Sequence, residues 1–403
     1  MTLAEQMKQL AAEAKCASRA VALLSAEDKN AALRAMADAL DAARPALLEA
    51  NARDLRTGAE LGLSPAMLDR LKLDDKRIAA MAAGIREVAA LPDPVGRVLD
   101  ERTRPNGLVL RKTAVPIGVI VIIYESRPNV TADAASLCFK TGNATILRGG
   151  REALNSNLLI ARTMVEAATR VLPGFPERAI QVVPTTEREA IPALLSHPEY
   201  VDLCIPRGGE GLIRAVTECA RVPVIKHYKG VCHVFVDRDA DLAMAEQIVL
   251  NAKCQRPSTC NAAETLLVDW PIATDFLPRM ARKLWEKNVE LRVDTPARTI
   301  LDMKTTPPPG RLAQAQPADW STEYNDYILN VRVVDGLPDA VAHITRHGSA
   351  HSDAIVTANE TAARRFLCEV DSAAVYWNAS TRFTDGAEFG MGAEIGISTD
   401  KLG

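Results

Sequence analysis

The stretch Gly118-Val-Ile-Val-Ile-Ile-Tyr-Glu-Ser-Arg-Pro-Asn-Val130 combines an apolar run with a polar turn. Residues 119–123 are all apolar and β-branched, as is typical of a strand inside a parallel sheet. A polar loop with Arg127 and Asn129 follows, and strand and helix patterns then alternate as far as Ile225. This alternation predicts an α/β fold with a doubly covered parallel sheet and ligands at the carboxyl ends of its strands.

The predicted elements form two α/β blocks. The first block has strands at 119–123, 144–147, 180–183, 201–205 and 222–225, with helices at 133–140, 157–171, 190–196 and 211–219. The second block has strands at 231–236, 264–268, 326–334 and 353–356, a helix at 242–252, and a proline-rich loop at 307–316.

Helical periodicity covers the first ninety residues, and a different pattern begins at Arg97. Residues 97–103 and 108–115 flank the turn Pro105-Asn-Gly107 and predict a β-hairpin. Its charged side chains indicate that its two faces are not buried in one core. The hairpin is either an oligomerisation arm or a surface hairpin without a partner, and the sequence favours neither.

Composition limits the function classes. The 403 residues, 43.5 kDa, fit two or three domains, and the net charge of −3 argues against a nucleic-acid scaffold. The longest apolar run is too short to span a membrane, and the N-terminus lacks the apolar segment of a secretory signal. Eight cysteines without metal-binding spacing predict reduced thiols, no metal site and a cytoplasmic location.

The densest chemical signal is Asn251-Ala-Lys-Cys-Gln-Arg-Pro-Ser-Thr-Cys-Asn261. A helix ends here, a polar loop follows, and Cys260 comes just before a strand, in a position suited to a nucleophile. Lys253 and Arg256 would favour its thiolate. For a lone cysteine a buried structural role is the more common alternative, and Cys254 is a weaker rival.

Polar residues follow several predicted strands. Asn129 could donate to an oxyanion and Arg127 could pair with a carboxylate or phosphate. Glycine-rich turns after two further strands suit a phosphate, although such turns also arise for steric reasons. Their residues are Arg148, Gly149, Gly150 and Arg151 in the first turn and Arg207, Gly208 and Gly209 in the second. Lys226 and His227 are further cationic candidates. The usual phosphate-binding, Rossmann and zinc-protease motifs are absent.

Seven stretches together resemble the gamma-glutamyl phosphate reductase family, a branch of the aldehyde dehydrogenase superfamily. They are 124–130, 141–150, 205–209, 223–227, 255–261, 350–357 and 388–397. The resemblance implies an aldehyde dehydrogenase-like fold: a Rossmann-like NADPH-binding domain (1–95 and 116–228), an α/β catalytic domain (229–390), and an oligomerisation arm (96–115 and 391–403).

The resemblance also implies an activity, NADPH-dependent reduction of L-glutamyl 5-phosphate to L-glutamate 5-semialdehyde in proline biosynthesis. It places the nucleophile on Cys260, the oxyanion donor on Asn129 and a nicotinamide-ribose ligand on Glu323. The substrate anions require cations, for which Arg127, Lys226, His227 and Arg256 are the candidates. A homo-oligomer and a partner glutamate 5-kinase are expected. The alternatives are an acylating dehydrogenase with another acyl donor, or a non-catalytic member of the fold.

The sequence departs from its relatives at three places. Residues 227–233 carry no acid where hydrolytic relatives have a general base, which fits phosphate rather than water as acyl acceptor. Arg151 replaces an acid that binds the adenosine ribose in NAD-preferring relatives, which predicts NADPH. The family usually continues beyond Asp400-Lys-Leu402 with a final strand, so the arm is expected to be incomplete.

Overall fold

The computed structural model describes residues 1–401, which divide into two compact units. The first unit comprises Met1–Lys226 together with Gly392–Gly396. The second comprises His227–Met391 and the described residues from Ile397 onward. The domain bounds predicted from the sequence, the functional labels of those domains and the arm stay predictions.

The first unit begins with helices, most of which start at a side-chain cap; the third begins without one. Thr2 and Glu5 form a capping box, and Ser25, Ser64 and Asp74 each accept a hydrogen bond from a backbone N–H of the first turn. The helices are α1 (Leu3–Val21), α2 (Ala26–Ala42), α3 (Arg44–Glu60), α4 (Pro65–Leu71) and α5 (Asp75–Ala90).

A four-stranded parallel sheet forms the centre of the first unit, in the spatial order β5-β4-β3-β6. Its central strand β3 is buried along its whole length, which the apolar run at 119–123 predicted. The elements are β3 (Val119–Tyr124), α6 (Asn129–Lys140), β4 (Ala144–Arg148), α7 (Leu154–Val171), β5 (Ile180–Val182), α8 (Ala190–Leu195), β6 (Leu203–Arg207) and α9 (Glu210–Cys219).

The predicted hairpin is confirmed as an antiparallel pair, β1 (Val98–Thr103) and β2 (Val109–Thr113). Gly107 takes the positive φ of 85° that the turn requires. Every residue of both strands is exposed, including Leu99 and Val109. The described residues of 391–401 form no strand, and residues 402 and 403 of the predicted arm lie outside the described residues.

The second unit contains a seven-stranded parallel sheet in the order β10-β9-β11-β8-β7-β12-β13. Helices pack against it in the order expected for repeated strand–helix units. The elements are β7 (Cys232–Val236), α10 (Leu242–Cys254), β8 (Ala263–Asp269), α11 (Trp270–Glu286), β9 (Glu290–Val293), α12 (Thr295–Lys304), β10 (Leu312–Gln314), β11 (Ile328–Val334), α13 (Gly336–His347), β12 (Ser352–Val356), α14 (Glu360–Glu369) and β13 (Ala374–Trp377).

Two local predictions are wrong. The segment 222–225 is not a strand and makes only a single bridge, between Val224 and Cys204. Pro223 supplies no N–H to a ladder, which accounts for the interruption. The predicted loop 307–316 contains the short strand β10, which pairs with β9 despite the prolines before it.

Two further observations concern membrane-spanning helices and disulfides. No helix within residues 1–401 combines the length and the apolar character needed to cross a membrane. No disulfide joins cysteines in the described part of the chain.

Buried imidazoles lie beside the sheet of the second unit. His343 on α13 packs edge-on against His233, with ring centroids 5.5 Å apart, and Arg332 donates to its Nδ1 over 2.7 Å. Burial is the main cause that lowers the pKa of His343 to about 2, and the charges of His233 and Arg332 lower it further. This ring is therefore neutral in the folded protein at every physiological pH.

His343 predicts a pH dependence of stability. Its folded pKa lies below the unfolded value, so the stability it contributes is present above about pH 6.5 and is lost as the pH falls. Between about pH 8 and about pH 5 this loss amounts to about 2 kcal/mol. The free energy of unfolding, measured with denaturant at both pH values, should fall less between them in His343→Gln than in wild type. In the control His197→Gln it should fall as much as in wild type. An identical pH dependence in wild type and His343→Gln would contradict the prediction.

Candidate active site

Cys260 lies in the loop between α10 and β8, where the sequence predicted a nucleophile. Its side chain is half-buried rather than sealed in the core. Thr259 stabilises the loop, since its hydroxyl lies 2.9 Å from the Arg256 carbonyl oxygen and 3.0 Å from the Asn261 side-chain oxygen and can donate its one hydrogen to either. The rival Cys254 ends α10, and burial raises the pKa of its thiol.

The site is built at the amino ends of three neighbouring parallel strands. Cys260 precedes β8, Cys232 is the first residue of β7, and His351 immediately precedes β12. Ligand sites of α/β sheets are usually found at the carboxyl ends of strands. The nucleophile lies instead at the edge formed by the amino ends of the strands. This follows from the chain order, since α10 leads back to the start of β8.

Two histidines lie beside the Cys260 thiol. Cys260 Sγ and one ring nitrogen each of His227 and His351 all lie within 4.8 Å of one another. The two rings meet edge to face with centroids 5.2 Å apart. Burial lowers the pKa of His351 to about 4, so this imidazole is neutral near pH 7. The structure thus brings one predicted substrate-binding residue, His227, to the nucleophile.

The backbone of Cys260 is held on two sides. A Cβ placed on Gly230 would lie 2.6 Å from the Cys260 Cα, so only glycine fits there. On another side the Cys232 thiol donates to the Cys260 carbonyl over 3.2 Å. Burial raises the pKa of Cys232 well above its usual range, which keeps it a protonated donor. Gly230 and Cys232 therefore fix the position of the nucleophile.

Arg382, which sequence reasoning did not identify, joins the two ends of the nucleophile loop, residues 255–261. Its guanidinium donates to the side chain of Asn261 and to that of Gln255, the latter over 3.1 Å. Asn261 in turn donates to the Thr384 carbonyl over 2.9 Å. The two ends of the loop are thus joined through one cation.

A buried ion pair links the nucleophile loop to the loop that carries Glu323. Lys253 Nζ lies 2.7 Å from a Glu264 carboxylate oxygen, with both side chains fully buried. The other oxygen of Glu264 accepts from the Asn325 N–H over 3.3 Å. Burial is the main cause that raises the pKa of Glu264 to about 7; Lys253 and the Asn325 N–H oppose this shift, and the charge of Glu323 adds to it. Lys253 therefore pairs with Glu264, while Arg256 is exposed on the loop.

In the first unit, the other predicted site residues follow β3, β4 and β6 at the carboxyl edge of the parallel sheet. Asn129 begins α6, and its amide donates to Asp133 over 3.0 Å. Burial raises the pKa of Asp133, and this hydrogen bond partly offsets the effect. Arg127 is exposed in the turn after β3. The oxyanion role of Asn129 stays a prediction.

The two arginines after β4 have different environments. Arg148 is buried, and its guanidinium donates to the carbonyls of Gly149 and, over 3.1 Å, Thr186. Arg151 is exposed at the start of a short 3-10 helix. Of the two, only Arg151 presents an exposed cation suited to a phosphate.

The glycines of these turns pack closely against the protein itself. A Cβ at Gly149 would meet Tyr124 at 3.0 Å, and one at Gly150 would meet Glu152 at 2.7 Å. At Gly208 it would lie 2.8 Å from Glu125. These glycines are therefore needed for close packing within the protein, which is the steric reason that the sequence analysis gave as the alternative to phosphate binding.

The start of α9 can still accommodate an anion. No side chain caps this helix end, whose N-cap is Gly209. The Gly209 N–H donates to Glu125 over 3.2 Å, and Arg207 is exposed beside it. An uncapped helix N-terminus beside exposed arginines is chemistry that suits the phosphates of a dinucleotide.

Comparisons with known proteins identify the family of the chain. A model of the aldehyde dehydrogenase family matches residues 2–303. Gamma-glutamyl phosphate reductases of Moorella thermoacetica and Geobacter metallireducens are 56% and 54% identical over 402 residues, covering 100% of this chain and 94% of each relative. The crystal structure of gamma-glutamyl phosphate reductase from Thermotoga maritima is similar with a TM-score of 0.93 at 42% identity, covering 98% of this chain and 93% of that one.

The fold and the cysteine loop are those of a class of oxidoreductases that use a nicotinamide cofactor. The chain belongs to the aldehyde dehydrogenase family and, within it, to the gamma-glutamyl phosphate reductases. The resemblance and the fold class predicted from the sequence are thereby confirmed.

The contact between Gly230 and Cys260 predicts a sharp effect of one methyl group. In Gly230→Ala the Cys260 backbone must move, so we expect the free energy of unfolding to fall by about 1–3 kcal/mol. The rate constant for alkylation of Cys260 by iodoacetamide, followed by mass spectrometry, should change about tenfold or more. Gly84→Ala is the control because no atom lies within 4 Å of the added Cβ. Equal behaviour of the two variants would show that the contact does not position the thiol.

Proposed function

We propose that this chain reduces L-glutamyl 5-phosphate to L-glutamate 5-semialdehyde and phosphate with NADPH, as the second step of proline biosynthesis from glutamate. The observation that carries the proposal is the half-buried Cys260, whose sulfur lies within 4.8 Å of a ring nitrogen of each of two histidines, in a chain of this family. The coarser conclusion, a nicotinamide-dependent oxidoreductase that acts on a small molecule, follows from the family itself.

In the proposed mechanism the Cys260 thiolate attacks the acyl phosphate carbonyl and forms a thioester while phosphate leaves. The bound nicotinamide supplies the hydride that reduces the acyl carbon. Cys260 then leaves as the thiolate when the resulting thiohemiacetal collapses to the aldehyde. His351, neutral near pH 7, lies beside the sulfur without adding a charge of its own.

The fixed backbone of Cys260 supports this mechanism. Gly230 and Cys232 hold the nucleophile without contributing charge, so the thiol does not depend on a flexible loop for its position. The segment 227–233 supplies two histidines and a thiol but no carboxylate, so it offers no general base of the hydrolytic type. We infer that phosphate, rather than water, is the second acyl acceptor.

We propose that the carboxylate and the phosphate of the substrate bind to the cationic candidates. His227 and Arg256 belong to the second unit, and a ring nitrogen of His227 lies within 4.8 Å of the Cys260 sulfur. Arg127 and Lys226 belong to the first unit. Arg151 and the turn 207–209 are proposed to bind the cofactor phosphates, and Glu323, half-buried in the loop tied to Glu264, its ribose.

The alternatives differ in chemistry. An acylating dehydrogenase of the same fold with a thioester donor would not oxidise glutamate semialdehyde in a phosphate-dependent manner, whereas the proposed enzyme would. A non-catalytic member would show no change at the nicotinamide absorbance band. The homo-oligomer, the partner glutamate 5-kinase and the cytoplasmic location stay predictions.

The nucleophile assignment predicts a specific loss of activity. Cys260→Ala should bind the cofactor as wild type does, measured by fluorescence titration, while turnover falls by at least about 1,000-fold. Cys254→Ala is the matched control and should retain turnover. Activity that survives in Cys260→Ala and disappears in Cys254→Ala would transfer the nucleophile to Cys254.

The cofactor assignment predicts a change in preference. Because Arg151 is exposed and would pair with the 2′-phosphate, Arg151→Glu should raise the Kd for NADPH by about tenfold or more and change that for NADH by less than about threefold. Arg162→Glu, on the exposed face of α7, makes the same charge change and should leave both constants alone. An unaltered preference in Arg151→Glu would reject the 2′-phosphate contact.

A further inference from the structure

The side chains beside the nucleophile form a set of metal ligands. Within residues 1–401, His227, Cys260 and His351 are the only group of histidine, cysteine and acidic side chains with ligand atoms close enough to hold one ion. Their ligand atoms lie within 4.8 Å of one another, whereas ligands on one tetrahedral Zn²⁺ are about 3.4–3.7 Å apart. A side-chain adjustment of about 1 Å would close this difference.

The hydrogen bonds of His227 prepare it as a ligand. Its Nδ1 lies 3.0 Å from the Ile397 carbonyl oxygen. A carbonyl can only accept, so Nδ1 carries a proton and the neutral ring has its lone pair on Nε2. Metal-binding histidines are commonly oriented in this way, with the second ring nitrogen donating to a backbone carbonyl.

His351 carries an unsatisfied buried nitrogen. The residue is fully buried, and its Nε2 has no hydrogen-bond partner. Its Nδ1 lies 2.9 Å from the Ser352 hydroxyl, which also contacts the Thr384 hydroxyl over 2.7 Å. Buried N–H groups without an acceptor are rarer than unsatisfied acceptors, which favours the tautomer with a lone pair on Nε2. A bound cation would satisfy that lone pair.

The ligand types select the metal. One thiolate and two imidazoles match zinc and related thiophilic divalent ions, while magnesium and calcium prefer oxygen ligands. Three protein ligands leave a fourth position for water, and two of them, Cys260 and His351, come shortly before the buried strands β8 and β12. These features distinguish the cluster from a lone reactive cysteine.

We propose that His227, Cys260 and His351 form an inhibitory binding site for Zn²⁺. On binding, Cys260 releases its proton to water and forms a sulfur–zinc bond, which removes the thiolate from catalysis. The inhibitory consequence rests on the proposed function of Cys260, whereas the binding itself does not. Chelation of the ion restores the thiol, so the inhibition is reversible.

Cobalt provides a direct test because Co²⁺ takes zinc sites and reports thiolate coordination by a charge-transfer band in the near ultraviolet. Titration of the full chain with Co²⁺ should give this band at one ion per chain, and Zn²⁺ should abolish it by displacement. The band should be absent in Cys260→Ser, and His351→Gln and His227→Gln should each weaken Co²⁺ binding by more than about 100-fold. Cys254→Ser and His197→Gln are the matched controls and should bind as wild type does.

A second measurement needs no variant. Saturating Zn²⁺ should slow the alkylation of Cys260 by iodoacetamide at least about tenfold while Cys254 in the same molecules reacts at an unchanged rate. A band that persists in Cys260→Ser, or an unprotected Cys260 thiol, would overturn the proposal. Neither readout needs turnover, so the two proposals can fail separately. A protein that shows the cobalt band but no turnover dependent on Cys260 would reject the proposed function and retain the metal site.

Discussion

The contact between Gly230 and the Cys260 backbone is the constraint on which the site depends. The approach is closer than any side chain would allow, and the Cys232 thiol holds the same carbonyl from another direction. Because Cys232 begins β7 and Cys260 precedes the neighbouring β8, the register of two buried strands sets the position of one sulfur atom. The precision of the nucleophile therefore comes from the sheet rather than from the loop that carries it.

The charges around the nucleophile differ from those that the sequence suggested. Lys253 would increase the acidity of a nearby thiol if its ammonium were available, but it forms a buried pair with Glu264. That pair ties α10 to β8 and, through the Asn325 N–H, to the loop of Glu323. Lys253 thus stabilises the elements that carry the site, and a ring nitrogen from each of two imidazoles lies within 4.8 Å of the sulfur.

The parts that could be predicted from sequence have local signals. Residues 119–123 are apolar enough to specify a buried strand, and a polar loop between a helix and a strand marks Cys260. His351 could not be found in this way, because it reaches Cys260 only through the strand order β8-β7-β12. Nor does sequence distinguish Arg148 from Arg151, since burial of the first depends on carbonyls of another turn.

The most direct test of the account is to trap the acyl group on Cys260. The protein would be incubated with glutamate 5-semialdehyde and oxidised nicotinamide cofactor without phosphate, then digested and analysed by mass spectrometry. The account predicts a glutamyl adduct on the peptide that contains Cys260 and its discharge when phosphate is added. An adduct on Cys254, or phosphate-dependent turnover without any adduct on Cys260, would contradict it.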